Sequence, residues 1–332
     1  MRVVIVFDME GTSHIGDFHE LYPIFPEYWD RGRSKLTNDI AAAARGLVAG
    51  GATEVVVMNH HGAGEVEWPN AVPEGLPDGV HLVDWDKLAM RDKVDAMFHV
   101  GAHARGGSQT FSSHTILPGL RLRVGQELLS ESHWWAWTGD VPVLGIVGSV
   151  GLEVSLGSLS EVPFLAVQTG DDRASARPVF ASPDETAEAI QAFAKAAVRD
   201  GGRQRSQQPQ DVVLEASIQN ADDAVQAMTA AGWNRTSRTE FRIEAGAWRG
   251  DGEPIDNAIS AAIEATWQPY AYSFEGVDPT SEASGLAFPV ARRAETEAFL
   301  NAWTSDPTVE WITPESASRW EGMTMGQALS EP

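Results

Sequence analysis

Apolar residues in the first half of the chain fall into short uninterrupted runs that are rich in β-branched residues. The runs lie at 2–7, 53–58, 96–101, 141–147 and 163–169, and helical segments separate several of them. A run that is apolar at every position is typical of a strand that is covered on both faces. Such strands in alternation with helices predict an α/β domain with a mainly parallel central sheet flanked by helices.

Three of the intervening segments carry helix signals. We expect one helix from about Thr37, which can serve as the N-cap, to the glycine pair at 50–51. The sequence Ser-Pro-Asp-Glu at 182–185 is a capping box, and it predicts a second helix that runs to about Arg199. The segment DKLAMRDKVD predicts a further helix just before the third strand.

The pattern changes after residue 200. Residues 200–211 are polar, contain glycine and are typical of a linker. Beyond them the segments VVLEASIQ and TEFRIEA predict antiparallel strands around a helix, and another helix is expected near 255–267. We therefore predict a catalytic α/β domain over residues 1–204, and a smaller α+β domain with a C-terminal extension over residues 210–332.

Composition and charge exclude several classes of function. The chain has no cysteine, so disulfides and thiolate chemistry are excluded, and any metal must be bound by histidine and carboxylate side chains. The formal net charge of −23 opposes binding to nucleic acid and to anionic membranes. The chain has no apolar run of bilayer-spanning length and no recognisable signal peptide, so we expect a cytoplasmic protein.

Acidic residues and histidines follow the predicted strands. Asp8 and Glu10 follow the first strand, and their spacing of two places them on the same side of it. His60 and His61 follow the second strand, and only one of them can point inward if the chain there is extended. His103 follows the third strand. Carboxyl ends of parallel strands form one edge of the sheet, so these side chains should meet.

Two more candidates come later in the sequence. His114 lies in the segment FSSHT, and Glu131 lies where a predicted hairpin, LRLRVGQELL, leads into a helix. Two carboxylates from one strand, imidazoles from two others and a third carboxylate suit two divalent ions, of which zinc is favoured. Asp8 would bridge the two ions. The alternative is structural: Asp8 and Glu10 would be a helix cap and a surface acid, and Glu131 would complement a helix dipole.

These motifs resemble the D-aminopeptidase family of zinc metallopeptidases, the dipeptide-transport-operon type. The resembling segments occur in family order and cover most of residues 1–200. They are DMEGTS at 8–13, YWDRGRSKLTND at 28–39, TEVVVMNHHG at 53–62, GAHARGGSQTFSSHT at 101–115, VGQELLSE at 124–131 and DVPVLGIVG at 140–148.

The resemblance implies a role for each residue and two zinc ions per subunit. Asp8 would bridge both ions, and Glu10 with His61 would complete one site. His103 and Glu131 would complete the other site, and His114 would be a catalytic histidine that binds no metal. The resemblance also implies a homo-oligomer, which in this family is a closed ring of subunits.

The chain departs from the family pattern around the expected pocket. The sequence GSVGLE at 148–153 stands where the family usually has Gly-Asp-Asp, and Trp134 and Trp135 follow Glu131. We assign these two tryptophans and His60 to the substrate pocket. The predicted function is a dinuclear zinc hydrolase that cleaves an amide bond, and the resemblance implies release of N-terminal D-amino acids from short peptides. One alternative is an amidohydrolase of a small non-peptide aryl or alkyl amide, and another is a non-catalytic assembly protein that keeps zinc for structure.

Overall fold

The structure is a computed structural model of the chain, and it describes much of residues 1–247. The described residues are 1–21, 26–61, 69–83, 94–106, 108, 110–115, 120–124, 127–130, 132, 141–151, 162–170, 175–201, 211–217, 225, 228–230, 232–237 and 240–247. The predicted helix near 255–267 lies outside these residues, and the linker and the helix before the third strand lie almost entirely outside them.

The described residues form twelve strands in two sheets. In chain order they are β1 (Arg2–Phe7), β2 (Glu54–Asn59), β3 (His81–Val83), β4 (Ala96–Ala102), β5 (Leu120–Val124), β6 (Glu127–Leu129), β7 (Val143–Ser149), β8 (Phe164–Thr169), β9 (Arg177–Pro178), β10 (Asp211–Ser217), β11 (Asn234–Arg235) and β12 (Glu240–Ala247).

The larger sheet confirms the predicted α/β class. Its strand order is β3-β2-β1-β4-β7-β8-β9, and every neighbouring pair is parallel except β8 with β9. The chain adds β2 and then β3 on one side of β1, and β4 then pairs with β1 on its other side. The order therefore reverses between β1 and β4, and the carboxyl ends of strands at such a point form a crevice where ligands bind in open α/β sheets.

The smaller sheet is antiparallel, in the order β11-β12-β10-β5-β6. The predicted hairpin is formed by β5 and β6, and β5 pairs with β10, as does β12. The hairpin lies within residues 1–204 in the sequence, yet its backbone hydrogen bonds join it to a strand of the second segment. The division into two domains at residues 204 and 210 stays a prediction.

The first helix, α1 (Pro26–Gly50), begins eleven residues before the position that we predicted from Thr37. The predicted start was wrong because Thr37 is an interior helix residue: its hydroxyl donates to the Arg33 carbonyl at 2.7 Å and accepts from the Val72 amide at 2.8 Å. The earlier turns carry few apolar residues, but Trp29 among them is fully buried. Tertiary burial of side chains such as Trp29 supports the helix beyond its periodic apolar stretch.

The second helix, α2 (Pro183–Asp200), confirms the predicted capping box. The Glu185 amide donates to the Ser182 hydroxyl at 3.2 Å, and the Glu185 carboxylate accepts from the Ala181 amide at 3.1 Å. The helix ends at Gly201, whose φ of 79° is the left-handed conformation that glycine adopts easily. Among the described residues, no helix has both the length and the apolar character that a bilayer crossing requires.

The core lies on both faces of the larger sheet. Val3, Ile5 and Phe7 point to one face and pack with buried residues of α1 and α2, whereas Val4 and Val6 point to the other face. All five are at most 2% exposed, as the uninterrupted apolar run of β1 predicts. β1 is covered on both faces, and its packing therefore fixes where the chain places Asp8 and Glu10, which follow it at the sheet edge.

Candidate metal centre

Two glycine-bearing segments meet where β1 and β4 end. The Gly11 amide donates to the Gly101 carbonyl at 2.8 Å, and Gly101 has a φ of 77°. A Cβ atom on Gly11 would lie 1.8 Å from the Ala102 carbonyl oxygen, and one on Gly101 would lie 1.9 Å from that of Asp8. Glycine at both positions is therefore required for the segment after β1 to lie directly against the end of β4.

A side-chain turn at the end of β2 brings both neighbouring histidines to the centre. The Asn59 carboxamide oxygen accepts from the His61 amide at 3.1 Å, and its nitrogen donates to the His61 carbonyl at 2.9 Å. The expectation that only one of the two histidines points inward applied to an extended chain, whereas the chain bends at His61. Nδ1 of His60 lies 3.8 Å from Oδ2 of Asp8, and Nδ1 of His61 lies 3.2 Å from Oδ1.

Five of the six predicted metal-binding and catalytic residues converge at this edge: Asp8, Glu10, His61, His103 and His114. His61 Nδ1 lies 3.1 Å from Oε2 of Glu10, in addition to its contact with Asp8. His103 Nε2 lies 3.3 Å from Oδ2 of Asp8, and His114 Nε2 lies 4.0 Å from Oε1 of Glu10. None of the five residues is more than 9% exposed.

Each of the three imidazoles is oriented by a backbone carbonyl. His61 Nε2 donates to the Leu21 carbonyl at 2.8 Å, His103 Nδ1 to that of Ala104 at 3.0 Å, and His114 Nδ1 to that of Ser112 at 2.8 Å. Because a carbonyl can only accept, these bonds place a hydrogen on that nitrogen and direct the other nitrogen at the carboxylates. The rings of His103 and His114 stack with their centroids 4.2 Å apart.

The buried charges at this centre shift one another's protonation. Burial, and then the charge of Asp8, raise the pKa of Glu10 to about 7. Burial also acts to raise the pKa of Asp8, but hydrogen bonds with Glu10 and the histidines hold it well below its usual value. Burial acts to lower the pKa of His61, but the Glu10 charge and hydrogen bonds to both carboxylates keep it well above its usual value. Protons held by Glu10 and His61 thus compensate the buried negative charge of this centre, as a bound cation would also do.

The donor set fits divalent metal ions that accept nitrogen and oxygen ligands. Ligand atoms of Asp8, Glu10 and His61 lie within 4.8 Å of one another, and those of Glu10, His103 and His114 do so as well. In each of the three histidines one ring nitrogen faces a buried carboxylate, and the other ring nitrogen donates to a backbone carbonyl. Metal-binding histidines usually have this arrangement, in which one ring nitrogen binds the metal and the other donates to a hydrogen-bond acceptor such as a carbonyl.

The sequence comparison decides the family. A profile of the D-aminopeptidase family matches residues 1–249. The chain belongs to the D-aminopeptidase family. This membership confirms the resemblance drawn from the motifs and places the chain among peptidases, whose reaction is hydrolysis of an amide bond.

The fold of this D-aminopeptidase-family chain is similar to that of a solved structure. That structure is titled a Zn-dependent D-aminopeptidase, DppA, from Bacillus subtilis, a self-compartmentalizing protease. The alignment has a TM-score of 0.65 and 20% sequence identity, and covers 79% of this chain and 98% of that one. The similarity confirms the fold. A search of curated protein sequences finds no match.

A small cavity lies beside Asp8 in this D-aminopeptidase-family fold. Its polar lining includes His60, His99, His103 and Ser132, and it has room for about one water molecule. The sequence analysis did not identify His99, which is buried within β4. The available signal was a histidine inside an otherwise apolar strand run, four residues before His103.

Three predicted site residues lie outside the described part of the chain: Glu131, Trp134 and Trp135. Ser132, the residue after Glu131, is described and lines the cavity beside Asp8. The assignments of Glu131 to a metal ion and of the two tryptophans to the substrate pocket therefore stay predictions.

Proposed function

We propose that this member of the D-aminopeptidase family is a zinc-dependent hydrolase that releases an N-terminal D-amino acid from short peptides and binds two zinc ions per subunit. The observation that carries the proposal is the convergence of Asp8 and Glu10 with three carbonyl-oriented imidazoles in a buried crevice at the β1–β4 switch point. A buried pair of carboxylates that faces three imidazoles suits cations far better than an apolar ligand.

We assign the ligands as follows. Asp8 would contribute to both sites, because its two oxygens face different histidines, Oδ1 towards His61 and Oδ2 towards His103. Glu10 and His61 complete one site, and His103 with Glu131 completes the other. Zinc, when bound, supplies Lewis acidity and lowers the pKa of a water molecule to near neutrality.

We assign proton transfer to His114. Its Nδ1 hydrogen is committed to the Ser112 carbonyl, so the neutral ring presents Nε2 to the centre, 4.0 Å from Glu10. Hydrolysis of an amide requires a proton to leave the attacking water and another to reach the leaving amine. An imidazole in this position can hold the proton between these two events. The stack on His103 fixes the plane of the His114 ring.

A second candidate substrate is a small non-peptide amide with an aryl or alkyl group. The observation that favours it is the departure of residues 148–153 from the family pattern, together with the tryptophans at 134 and 135. Ser149 in this segment is fully buried in β7, which pairs with β4, the strand that His103 follows. We further propose that the protein assembles into a homo-oligomer, in which a ring would enclose the active sites, and that it acts in the cytoplasm.

The test combines metal analysis with a substrate panel. We expect about two zinc ions per chain in the wild type and a clear loss in Asp8→Ala, because Asp8 contributes to both proposed sites. Glu54→Ala, which removes a partly exposed acid that pairs with Arg2, is the matched control and should retain its zinc. His114→Ala should retain zinc and lose hydrolysis.

The panel contains D-aminoacyl dipeptides, their L counterparts, and aryl and alkyl amides. Turnover of the D-peptides supports the proposal, and turnover of the non-peptide amides alone supports the second candidate. Wild-type protein that binds no zinc, or Asp8→Ala with undiminished zinc, contradicts the proposal. Zinc binding without hydrolysis of any member supports the structural alternative.

A further inference from the structure

The segment that carries Glu10 is held by one buried side chain of β8, a strand that β4 and β7 separate from β1 in the sheet. Gln168 lies near the end of β8 and is fully buried. Its Nε2 atom lies 2.7 Å from the carbonyl oxygen of Glu10, 3.0 Å from that of Thr12 and 3.4 Å from that of Ile15. One carboxamide thus contacts three backbone groups between residues 10 and 15.

The orientation of this carboxamide follows from its partners. All three contacts are carbonyl oxygens, which only accept hydrogen bonds, so the nitrogen of Gln168 and not its oxygen must face them. An NH₂ group has two hydrogens, and the two shorter contacts, to Glu10 and Thr12, are the ones that it satisfies best. The bond at 2.7 Å therefore holds the backbone of a proposed metal ligand directly.

The remaining contacts show why such a hold is needed. The chain leaves β1 after Phe7 and then crosses the sheet edge towards β8 and β9, where the Ala176 amide donates to the Gly16 carbonyl at 3.3 Å. Residues 8–17 lie in no strand or helix, and their backbone is tied to the rest of the sheet at a few points, such as the Asp8 amide to the Val100 carbonyl at 2.8 Å and an isolated bridge between Asp17 and Ser175. The carbonyl groups of this segment are buried, and buried carbonyls require donors from elsewhere in the fold.

We propose that Gln168 is a positioning residue that fixes Glu10 for metal binding, an inference that rests on the proposed zinc-dependent function. Gln168 does not touch the centre. It acts through the Glu10 carbonyl, and so sets where the Glu10 carboxylate lies relative to His61 and His114. Loss of a hydrogen-bonding partner behind a metal ligand typically costs about 10- to 100-fold in metal affinity.

The experiment measures zinc affinity by competition with a chelator, together with the absorption spectrum of the Co²⁺-loaded protein. Gln168→Met keeps the length of the side chain and removes both donors. Gln168→Asn keeps the carboxamide and removes one methylene, which withdraws it from Glu10 with little change in the core. We expect both variants to bind zinc about 10- to 100-fold more weakly and to show an altered Co²⁺ spectrum.

Thr186→Val is the matched control. It removes a buried hydroxyl whose oxygen lies 3.0 Å from Nε2 of His14. His14 belongs to the same segment as Glu10 but lies four residues after it. This variant should lose thermal stability and keep the zinc affinity and the Co²⁺ spectrum of the wild type. Folded Gln168 variants with unchanged affinity and spectrum overturn the inference and leave the proposed function intact. Absence of zinc binding in the wild type overturns both.

Discussion

Asp39 is a carboxylic acid on α1 that is buried behind the metal centre. Its Oδ2 accepts from the Ser13 amide at 2.8 Å, and its Oδ1 accepts from the Ser13 hydroxyl at 2.6 Å. Burial raises the pKa of Asp39 to about 6, although the hydrogen bonds from Ser13 act in the opposite direction. With Gln168 on one side and Asp39 on the other, the segment after β1 is tied to both a strand and a helix.

This raised pKa predicts a pH-dependent stability. Between pH 3.8, the ordinary value, and about 6, folded Asp39 keeps a proton that the unfolded chain releases. The contribution of this group is therefore largest at low pH and is lost as the pH rises through about 6. Asp39→Asn is isosteric and cannot ionise. We expect the unfolding free energy of the wild type relative to this variant to fall by about 1 kcal/mol from about pH 5 to about pH 7.

The comparison is made by urea unfolding of both proteins at each pH. Titration of the metal-binding residues affects both proteins alike and cancels in the difference. Parallel pH curves for the two proteins would contradict a raised pKa at Asp39.

At the scale of elements, α2 begins at a side-chain N-cap. Ser182 has an extended φ of −141°, and its hydroxyl accepts from the Glu185 amide. The helix presents a buried face of Thr186, Ile190, Ala194 and Ala197 to the same core that covers β1. Loss of the cap would therefore loosen a helix that supports the strand behind the metal centre.

The cap yields a graded prediction. Ser182→Ala leaves the Glu185 amide without its acceptor and should lower the unfolding free energy by about 1 kcal/mol. Ser182→Gly should lower it by only a few tenths of a kcal/mol, because glycine is tolerated at an N-cap. Urea unfolding of the two variants at one pH measures the difference. An Ala variant as stable as the wild type would show that the hydroxyl bond contributes nothing.

At the scale of the whole molecule, charge determines how the proposed oligomer assembles. The chain has 47 acidic and 24 basic residues, so its copies repel one another at neutral pH. Association must then come from contacts strong enough to outweigh this repulsion. Salt weakens the repulsion, because the screening length falls from about 30 Å at 0.01 M to about 10 Å at 0.1 M.

We therefore expect a salt-dependent homo-oligomer. Light scattering coupled to size exclusion should give a mass that is a multiple of 35.9 kDa, with the larger species favoured as salt rises. Asp8→Ala serves as a control for any contribution of zinc to assembly. A mass of 35.9 kDa at every salt concentration would contradict the proposal.

The local pattern of the sequence determined the elements with strong periodicity. The apolar runs at β1, β2, β4, β7 and β8 identified the central sheet, because a strand that is buried on both faces is apolar at most of its positions. The capping box located α2 because its hydrogen bonds join residues three or four apart. Alternation along a strand also placed Asp8 and Glu10 on the same side.

Tertiary structure alone decided the features that depend on contacts between distant residues. Trp29 extends α1 through burial, Asn59 turns both histidines inward, and Gln168 reaches Glu10 across 158 positions of the chain. The sequence pattern contained no periodic signal for any of these contacts. Periodicity reports which face of an element is covered, whereas a hydrogen bond between distant residues exists only after the sheet order has brought the two together.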